Sequence, residues 1–593
     1  MVSTLMWVIA GIAVYTLGAM ALRARGLLPE SVRVTGPIVT LHTGRGRAFL
    51  NRLAAPRRFW RAWGNFGVGA AVVVMVGSAA AVFGSALAAI RDPDRATFQD
   101  PQNALVIPGV NDFLPLAAAP EIVFGLVVGL VVHEGGHGLL CRVEDIDIDS
   151  MGLAFFAFLP VGAFVEPDEE SRNRASRGSQ TRMFAAGVTN NFFVTFLAFL
   201  LLFGPVAGSI SVAAGVPVGD VVRGSSADDA GIDYGDVVTS VNGTTVDDEA
   251  AFERAVGRVE SRRVRVGLRD GTTATINRSL LLTRVVPSVV EGVEVSRDRP
   301  TVIERVNGTS VGTEREFARV VANRTVVELE TNRGSASVPI GAYVSSVNET
   351  GAFADAGAPT GDADLIITSV DGRRVTNVTT LSSVLDGTDP GETVTVVAYV
   401  DGSRESFEVT LDEGDDGNGY LGVRLAGGYS GMVVDDMGID PYPASGFLSI
   451  LGGSSGPLGG LLSGEFLRNA FVVLLLPFFA TLAPDISYNF AGFIPPVTNF
   501  YTVTGPLAAL GDGVFLAANL LFWTAWINLN LGLFNCIPMF PLDGGHILRA
   551  STESVVSRLP VSDRRRLTTA LTGSVSVVML VGLALMLFAP QLL

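Results

Sequence analysis

The sequence predicts a polytopic α-helical membrane protein interrupted by an inserted α+β region that stands outside the membrane. Three observations carry the prediction: composition, the spacing of long apolar runs, and an excess of acid confined to one internal stretch. Of 593 residues, 48% are hydrophobic and only 17% charged, which excludes a disordered chain and points to membrane segments carrying soluble domains. Apolar runs long enough to span a bilayer lie at about 2–21, 66–90, 120–141, 183–207, 467–484, 514–536 and 568–590. Residues 208–445 hold 37 acids against 20 arginines, a net charge of −17, whereas the rest holds 21 against 22, a net of +1.

The first run lacks a charged leader and is followed by arginines, so it reads as a helix rather than a cleaved signal. Between 22 and 64 lie nine arginines and one acid, Glu30, which places this loop in the cytoplasm. The third run then passes from outside to inside, the fourth returns, and the acidic insert is external. All six Asn-x-Ser/Thr sequons, at Asn242, Asn277, Asn307, Asn323, Asn348 and Asn377, fall inside that insert, as suits an exported surface. One conflict remains. If 467–484 runs inward, then 514–536 must also run inward, because Arg549, Arg558 and Arg564–Arg566 follow it. A crossing is missing or a segment is re-entrant, with the Gly-rich 445–463 and the Pro-containing 486–505 as candidates.

All 42 basic residues are arginine. An acidic, lysine-free soluble portion resembles proteins of salt-loving archaea, where such charge keeps a strongly screened surface soluble. It argues against nucleic-acid binding, which needs a basic footprint. Cys141 and Cys536 cannot make a disulfide framework and read as apolar packing.

The third run contains His133-Glu134-Gly135-Gly136-His137. On a helix the two histidines point from one face toward one metal, and Glu134 is placed to take a proton from water there. Ionisable groups at membrane depth are costly and mark function by default.

The insert repeats. Val237–Val246, with Val-Asn-Gly at its turn, is echoed by Val302–Val311 and again by Ile366–Val375, where the turn reads Val-Asp-Gly. The first and third copies carry an upstream half, Val221–Gly231 with Gly235-Asp236 and Val344–Gly357. These resemble PDZ domains, at about 213–280 and 338–412, with a partial or degenerate copy at 285–338. The domain plan is therefore 1–207 membrane half, 208–284 PDZ-like module 1, 285–337 partial repeat, 338–425 PDZ-like module 2, and 426–593 membrane half. The resemblance implies extended peptides as ligands, bound by strand addition; a plain spacer is the alternative.

Downstream stands Asn535-Cys-Ile-Pro538-Met-Phe-Pro541-Leu542-Asp543-Gly544-Gly545-His546. A Leu-Asp-Gly far beyond an in-membrane His-Glu-x-x-His resembles the site-2 protease family of intramembrane zinc metalloproteases. Gly187-Val-Thr-Asn-Asn191 fits its Gly-x-x-x-Asn, and Met151–Pro160 is similar to its membrane re-entrant β-loop, an element able to pair with an unwound substrate. The resemblance implies Zn2+ held by His133, His137 and Asp543, with Glu134 as general base. Asn191 and Asn535 become candidates to hold substrate backbone or oxyanion, with interhelical hydrogen bonding as the plain alternative. His546 is a rival ligand or a support to the metal shell. The implied substrates are single-pass membrane proteins already trimmed by another protease, cut within the lipid bilayer, with the insert filtering by size and end. The alternatives are a membrane-anchored PDZ scaffold or chaperone with a vestigial metal site, and a metal transporter. A transporter should spread ionisable groups along several helices rather than cluster them.

Overall fold

The structure is a computed structural model that describes residues 4–29, 31–91, 107–111, 114–156, 159–295, 299–360, 364–414, 417–452, 466–482 and 488–592. The chain divides into two compact units. One comprises Met1–Ser211, Ser445–Ile494 and Tyr501–Leu593, and the other Val212–Ala444 with Pro495–Phe500.

The first unit is helical. Its main helices are α1 (Thr4–Ala24), α2 (Arg57–Arg91), α3 (Ala119–Val143), α4 (Arg177–Leu201), α5 (Phe466–Leu475), α6 (Gly513–Asn535), α7 (Asp543–Val556) and α8 (Arg564–Leu592). Among the described residues, five stretches are long and apolar enough to cross a bilayer: Arg57–Arg91, Leu116–Val143, Arg177–Ser209, Gly513–Asn535 and Arg564–Leu592. They absorb five of the seven apolar runs, and the first run forms the 21-residue α1.

The run 467–484 departs from expectation. Its helix α5 has ten residues, about 15 Å of rise against a hydrocarbon core of about 30 Å. It tightens into a 3-10 turn at Leu476–Phe478, which contains Pro477, and gives way to the short Phe479–Leu482. The irregular stretch that resumes at 488 is buried against α6. There Asn519 Oδ1 accepts the Phe493 N–H (2.7 Å) and its Nδ2 donates to the Phe493 carbonyl (2.9 Å). Trp523 Nε1 donates to the Ala491 carbonyl, and Trp526 Nε1 to that of Leu474. Irregular backbone survives at membrane depth only where such partners satisfy it. Residues 453–465 and 483–487, within or beside the stretches named for the missing crossing, lie outside the described residues.

Small residues bring α3, α4 and α6 together. A Cβ at Gly125 would lie 2.8 Å from the Trp523 carbonyl oxygen, and one at Gly136 2.8 Å from that of Ala186. Such close approach is how helices associate where no hydrophobic force operates between them. Beyond the end of α3, Glu144 accepts from Arg182 Nε (2.9 Å), Ser179 Oγ (2.7 Å) and Arg61 Nε (3.3 Å), which ties α2 and α4 to that end. A four-stranded antiparallel sheet joins this unit, in the order β1 (Val32–Thr35), β2 (Ile38–His42), β3 (Ile148–Phe156), β4 (Leu159–Pro167).

The second unit holds three apolar cores. In the first module the strands are β5 (Val216–Val221), β6 (Val237–Val241), β7 (Arg263–Leu268) and β8 (Thr273–Asn277). The middle unit has β9 (Ile303–Val306), β10 (Thr309–Ser310), β11 (Val326–Thr331) and β12 (Gly334–Pro339). The second module has β13 (Ala342–Val347), β14 (Leu365–Val370), β15 (Thr393–Val400), β16 (Ser403–Thr410) and β17 (Val423–Ala426), and β18 (Ile439–Pro441) follows. The repeated turns have a simple cause. Asn242, Asn307 and Asp371 adopt φ of 49°, 49° and 47°, each followed by a glycine at positive φ, the backbone that a tight hairpin requires. Asn242 and Asn307 also accept backbone N–H groups of Arg265 and Glu328, and Asn377 caps the helix Val378–Leu385. Three sequon asparagines thus have structural work in the fold.

The sheet orders correct the domain plan. The first module's path is β8-β7-β6-β5-β18 and the second's is β16-β15-β14-β13-β17. The unit therefore runs to Ala444 rather than 425, because the first module is completed at its edge by β18, a strand that returns after the second module ends. The middle repeat is a four-stranded sheet, β10-β9-β11-β12, around its own core of Ile303, Val306, Phe317, Leu329 and Val338. A buried ion pair binds the pieces. Arg278 grips Asp436 with two nitrogens, one at 2.9 Å, while Asp436 also accepts the Glu314 N–H at 2.8 Å.

Candidate metal centre

Two helices supply the centre. The four-residue spacing on α3 sets His133 and His137 one turn apart on the same face, and α7 begins at Asp543. His133 Nε2 and His137 Nε2 each lie 3.2 Å from Asp543 Oδ2, and 3.2 Å from one another. The three donors form an equilateral triangle. All three residues are buried, and Asp543 Oδ2 has no hydrogen-bond partner.

These donors fit zinc. Two imidazoles and a carboxylate are an ordinary catalytic zinc set, with bonds of about 2.0–2.1 Å. A tetrahedron with such bonds has edges of roughly 3.3 Å, close to the observed separations, and three vertices leave a fourth position for water or substrate. His546, the rival ligand, is outside the group. Its ring stacks on Phe184 with centroids 4.2 Å apart and meets Phe540 edge-on, so it serves packing. Cys141 and Cys536 are free and buried, also outside the group.

The residues around the triangle orient it. His137 Nδ1 lies 2.8 Å from the Met183 carbonyl; donating there leaves the Nε2 lone pair facing the centre. His133 Nδ1 lies 3.2 Å from the amide of Asn191, a side chain with no solvent exposure. The atom facing the ring is Nδ2, while Oδ1 is buried without a partner; with the amide turned over, Oδ1 accepts the Nδ1–H and frees Nε2 in the same way. The sequence offered Asn191 for substrate or oxyanion; in the structure it faces a ligand ring. Asn535 donates instead to the Leu531 carbonyl of its own helix, at 2.9 Å.

Gly187 explains the glycine of Gly-x-x-x-Asn. A Cβ there would lie 2.6 Å from His137 Nε2 and 2.9 Å from His133 Cε1 and Nε2. Gly187→Ala is therefore expected to displace the ligands and weaken zinc roughly 10- to 100-fold, the range for a disturbed supporting shell. Competition with a chromophoric chelator reads the change, and an unaltered affinity would show that the helices yield.

Glu134 does not join the triangle. Its Oε2 accepts the Val165 N–H of β4 at 2.9 Å, which holds the carboxylate between α3 and the sheet. This revises the reading of 151–160 as the pairing element. β3 is flanked by β2 and β4, so the edge strands of this sheet are β1 and β4, and it is β4 that reaches Glu134. Sequence reasoning also passed over Asn528 and Thr524 on α6. Both are buried, and Asn528 Oδ1 and Thr524 Oγ1 have no hydrogen-bond partner. The signal was present: Asn519, Asn528, Asn530 and Asn535 all interrupt one apolar run.

Fold and centre together define a multi-span helical protein with a His-x-x-x-His and aspartate group at the heart of its helices. Residues 121–581 match the family model of peptidase family M50. The chain belongs to that family, whose members are zinc-dependent metalloproteases of the site-2 type. It is also 38% identical over 87 residues to protease RseP of Photorhabdus luminescens, a match covering 14% of this chain and 38% of that protein.

Proposed function

We propose that this chain is a zinc metalloendopeptidase that hydrolyses peptide bonds within transmembrane segments of single-pass membrane proteins. The observation that carries the reading is the buried triangle of His133, His137 and Asp543 with Glu134 beside it, set in helices long and apolar enough to cross a bilayer. Zinc held by those three residues supplies the Lewis acidity that acidifies water and polarises a carbonyl. Glu134 takes the proton as the water oxygen adds to the scissile carbonyl carbon, then delivers it to the nitrogen as the C–N bond breaks. The Val165 N–H keeps that carboxylate in place without neutralising it. Asn191 and the Met183 carbonyl hold the ligand rings, and the β4 edge is the surface on which an unwound substrate strand would align. A helical substrate has every backbone amide paired, so unwinding must precede attack.

The broken 467–484 run supports the topology in the same reading. If that stretch dips into the bilayer without crossing, an external insert is followed directly by an inward α6, and the arginines after Asp543 fall in the cytoplasm. The insert is then an extracytoplasmic pair of PDZ-like modules flanking a middle unit, with a surface suited to high salt. It captures pre-trimmed substrates.

Two measurements test these readings. Purified protein in detergent should cleave a reporter containing a transmembrane segment, lose the activity to a chelator and regain it with zinc; chelator-resistant cleavage would refute the mechanism. On intact cells, a cysteine replacing Asp270 or Ser403 should react with a membrane-impermeant maleimide, and one replacing Arg45 only after lysis. Reversed labelling overturns the orientation.

A further inference from the structure

Asn528 of α6 lies one helical turn from the level of the metal ligands. Gly125, Gly129 and His133 follow one another at four-residue intervals on one face of α3. Packing requires the first glycine, whose Cβ would lie 2.8 Å from the Trp523 carbonyl oxygen. It does not require the second. A Cβ at Gly129 would meet Asn528 Nδ2 and Leu531 Cδ2 at 3.5 Å, an ordinary contact, so the helices could accept a side chain there and the sequence supplies none. On α4, Thr195 stands one turn beyond Asn191, and its Oγ1 lies 3.4 Å from the Ala525 carbonyl of α6. Both helices thus set Asn528 one turn, roughly 5.4 Å along the axes, from the level at which Asn191 meets His133.

Side chains alone leave this level unsatisfied. Asn528 Nδ2 donates to the Thr524 carbonyl of its own helix at 2.8 Å, while Asn528 Oδ1 and Thr524 Oγ1 have no partner. Asn191 Oδ1 has none either. Asn528 and Asn191 have no solvent exposure and Thr524 has 7%, and buried polar atoms among apolar helices are costly unless bonded. Asn191 has a further need. Once its amide is turned so that Oδ1 accepts from His133, Nδ2 occupies the place where Oδ1 found no partner, and that donor requires an acceptor. Asn528 Oδ1 is an unused acceptor on the facing helix. Two hydrogen bonds of about 2.8 Å, through one water molecule, span a separation of roughly one turn.

We propose that Asn528 is a positioning residue for the metal centre, holding a buried water that accepts from Asn191 Nδ2 and donates to Asn528 Oδ1. The Thr524 hydroxyl is its third partner, a number usual for a buried water. The water fixes which way round the Asn191 amide stands, and the amide fixes the His133 ring with Nε2 toward the metal. Asn528 touches neither metal nor substrate and acts through Asn191. Gly129 keeps the way between them clear of a side chain. The inference rests on the reading of His133, His137 and Asp543 as zinc ligands, and adds a support from α6 to those that α4 provides.

The test is the zinc affinity of the full-length protein in detergent, measured against a chromophoric chelator, together with the visible absorption of the Co2+-substituted protein, which reports ligand geometry. Gly129→Ala adds a methyl group that meets its neighbours at 3.5 Å and competes with the water. Asn528→Leu removes the amide. Each should weaken zinc about tenfold, the low end for a disturbed supporting shell, and alter the Co2+ spectrum, with unchanged size-exclusion behaviour. In an Asn191→Ala background neither should weaken zinc further, because the residues act in series. Radiolysis of the unaltered protein in 18O-labelled water should mark Leu531, whose side chain borders Gly129. Unchanged zinc affinity in Gly129→Ala, losses that add to that of Asn191→Ala, or an unmarked Leu531 would each overturn the inference, the last without any variant. If the unaltered protein binds no zinc, the metal reading itself fails; zinc held tightly and indifferent to Gly129→Ala removes the water alone.

Discussion

Glu134→Gln is expected to leave zinc bound and to lower cleavage by roughly 10²- to 10⁴-fold, the usual contribution of a positioned general base. The two side chains have nearly the same shape, and the amide oxygen can still accept the Val165 N–H that Glu134 Oε2 accepts at 2.9 Å. What disappears is the ability to take a proton from water. Because Glu134 lies outside the donor triangle, metal content should not follow activity. The measurement is single-turnover cleavage of a transmembrane reporter alongside zinc content of the same preparation. Near-normal turnover with zinc in place would remove Glu134 from the chemistry. Loss of zinc together with activity would make it a structural support of the centre instead.

Asp543→Ala should do the opposite, emptying the site and abolishing activity together. It removes one of three donors and the charge that offsets the cation, and leaves two neutral imidazoles whose Nε2 atoms stand 3.2 Å apart. Two ligands in apolar surroundings are a poor zinc site. Asp543→Asn, which keeps an oxygen donor without the charge, should retain a weakened site. The helices need not collapse, because α3, α4 and α6 approach through contacts that do not involve Asp543, such as Gly125 against Trp523 and Gly136 against Ala186. Equilibrium zinc titration with a competing chelator, and size-exclusion behaviour as the control for folding, separate metal loss from unfolding. Full zinc occupancy in Asp543→Ala would transfer the third ligand to another group.

Much of this is legible in the amino-acid sequence. Local physics imposes it: about 20 apolar residues make a spanning helix, a four-residue interval brings two side chains onto one helical face, and Val-Asn-Gly writes a tight hairpin. The membrane helices, His133 and His137 with Glu134 between them, and the repeats of the insert all rest on neighbours in sequence. Asp543 was reached only through a family resemblance, since no local rule links positions about 400 residues apart.

What remained hidden depends on contacts between distant residues. Length and hydropathy made 467–484 a span; Pro477, the break after ten helical residues and the partners supplied by Asn519 and Trp523 made it something else. Asn191 and Asn535 look alike on paper, yet one faces His133 and the other its own helix. β3 and β4 are equally strand-like, and only the sheet order leaves β4 with the free edge beside Glu134. β17 and β18 are neighbours in the chain, yet one closes the second module's sheet and the other the first's. Periodicity records which face of an element is apolar. Which partner covers that face, and which polar atom it leaves unpaired, is settled by chain closure over long distances.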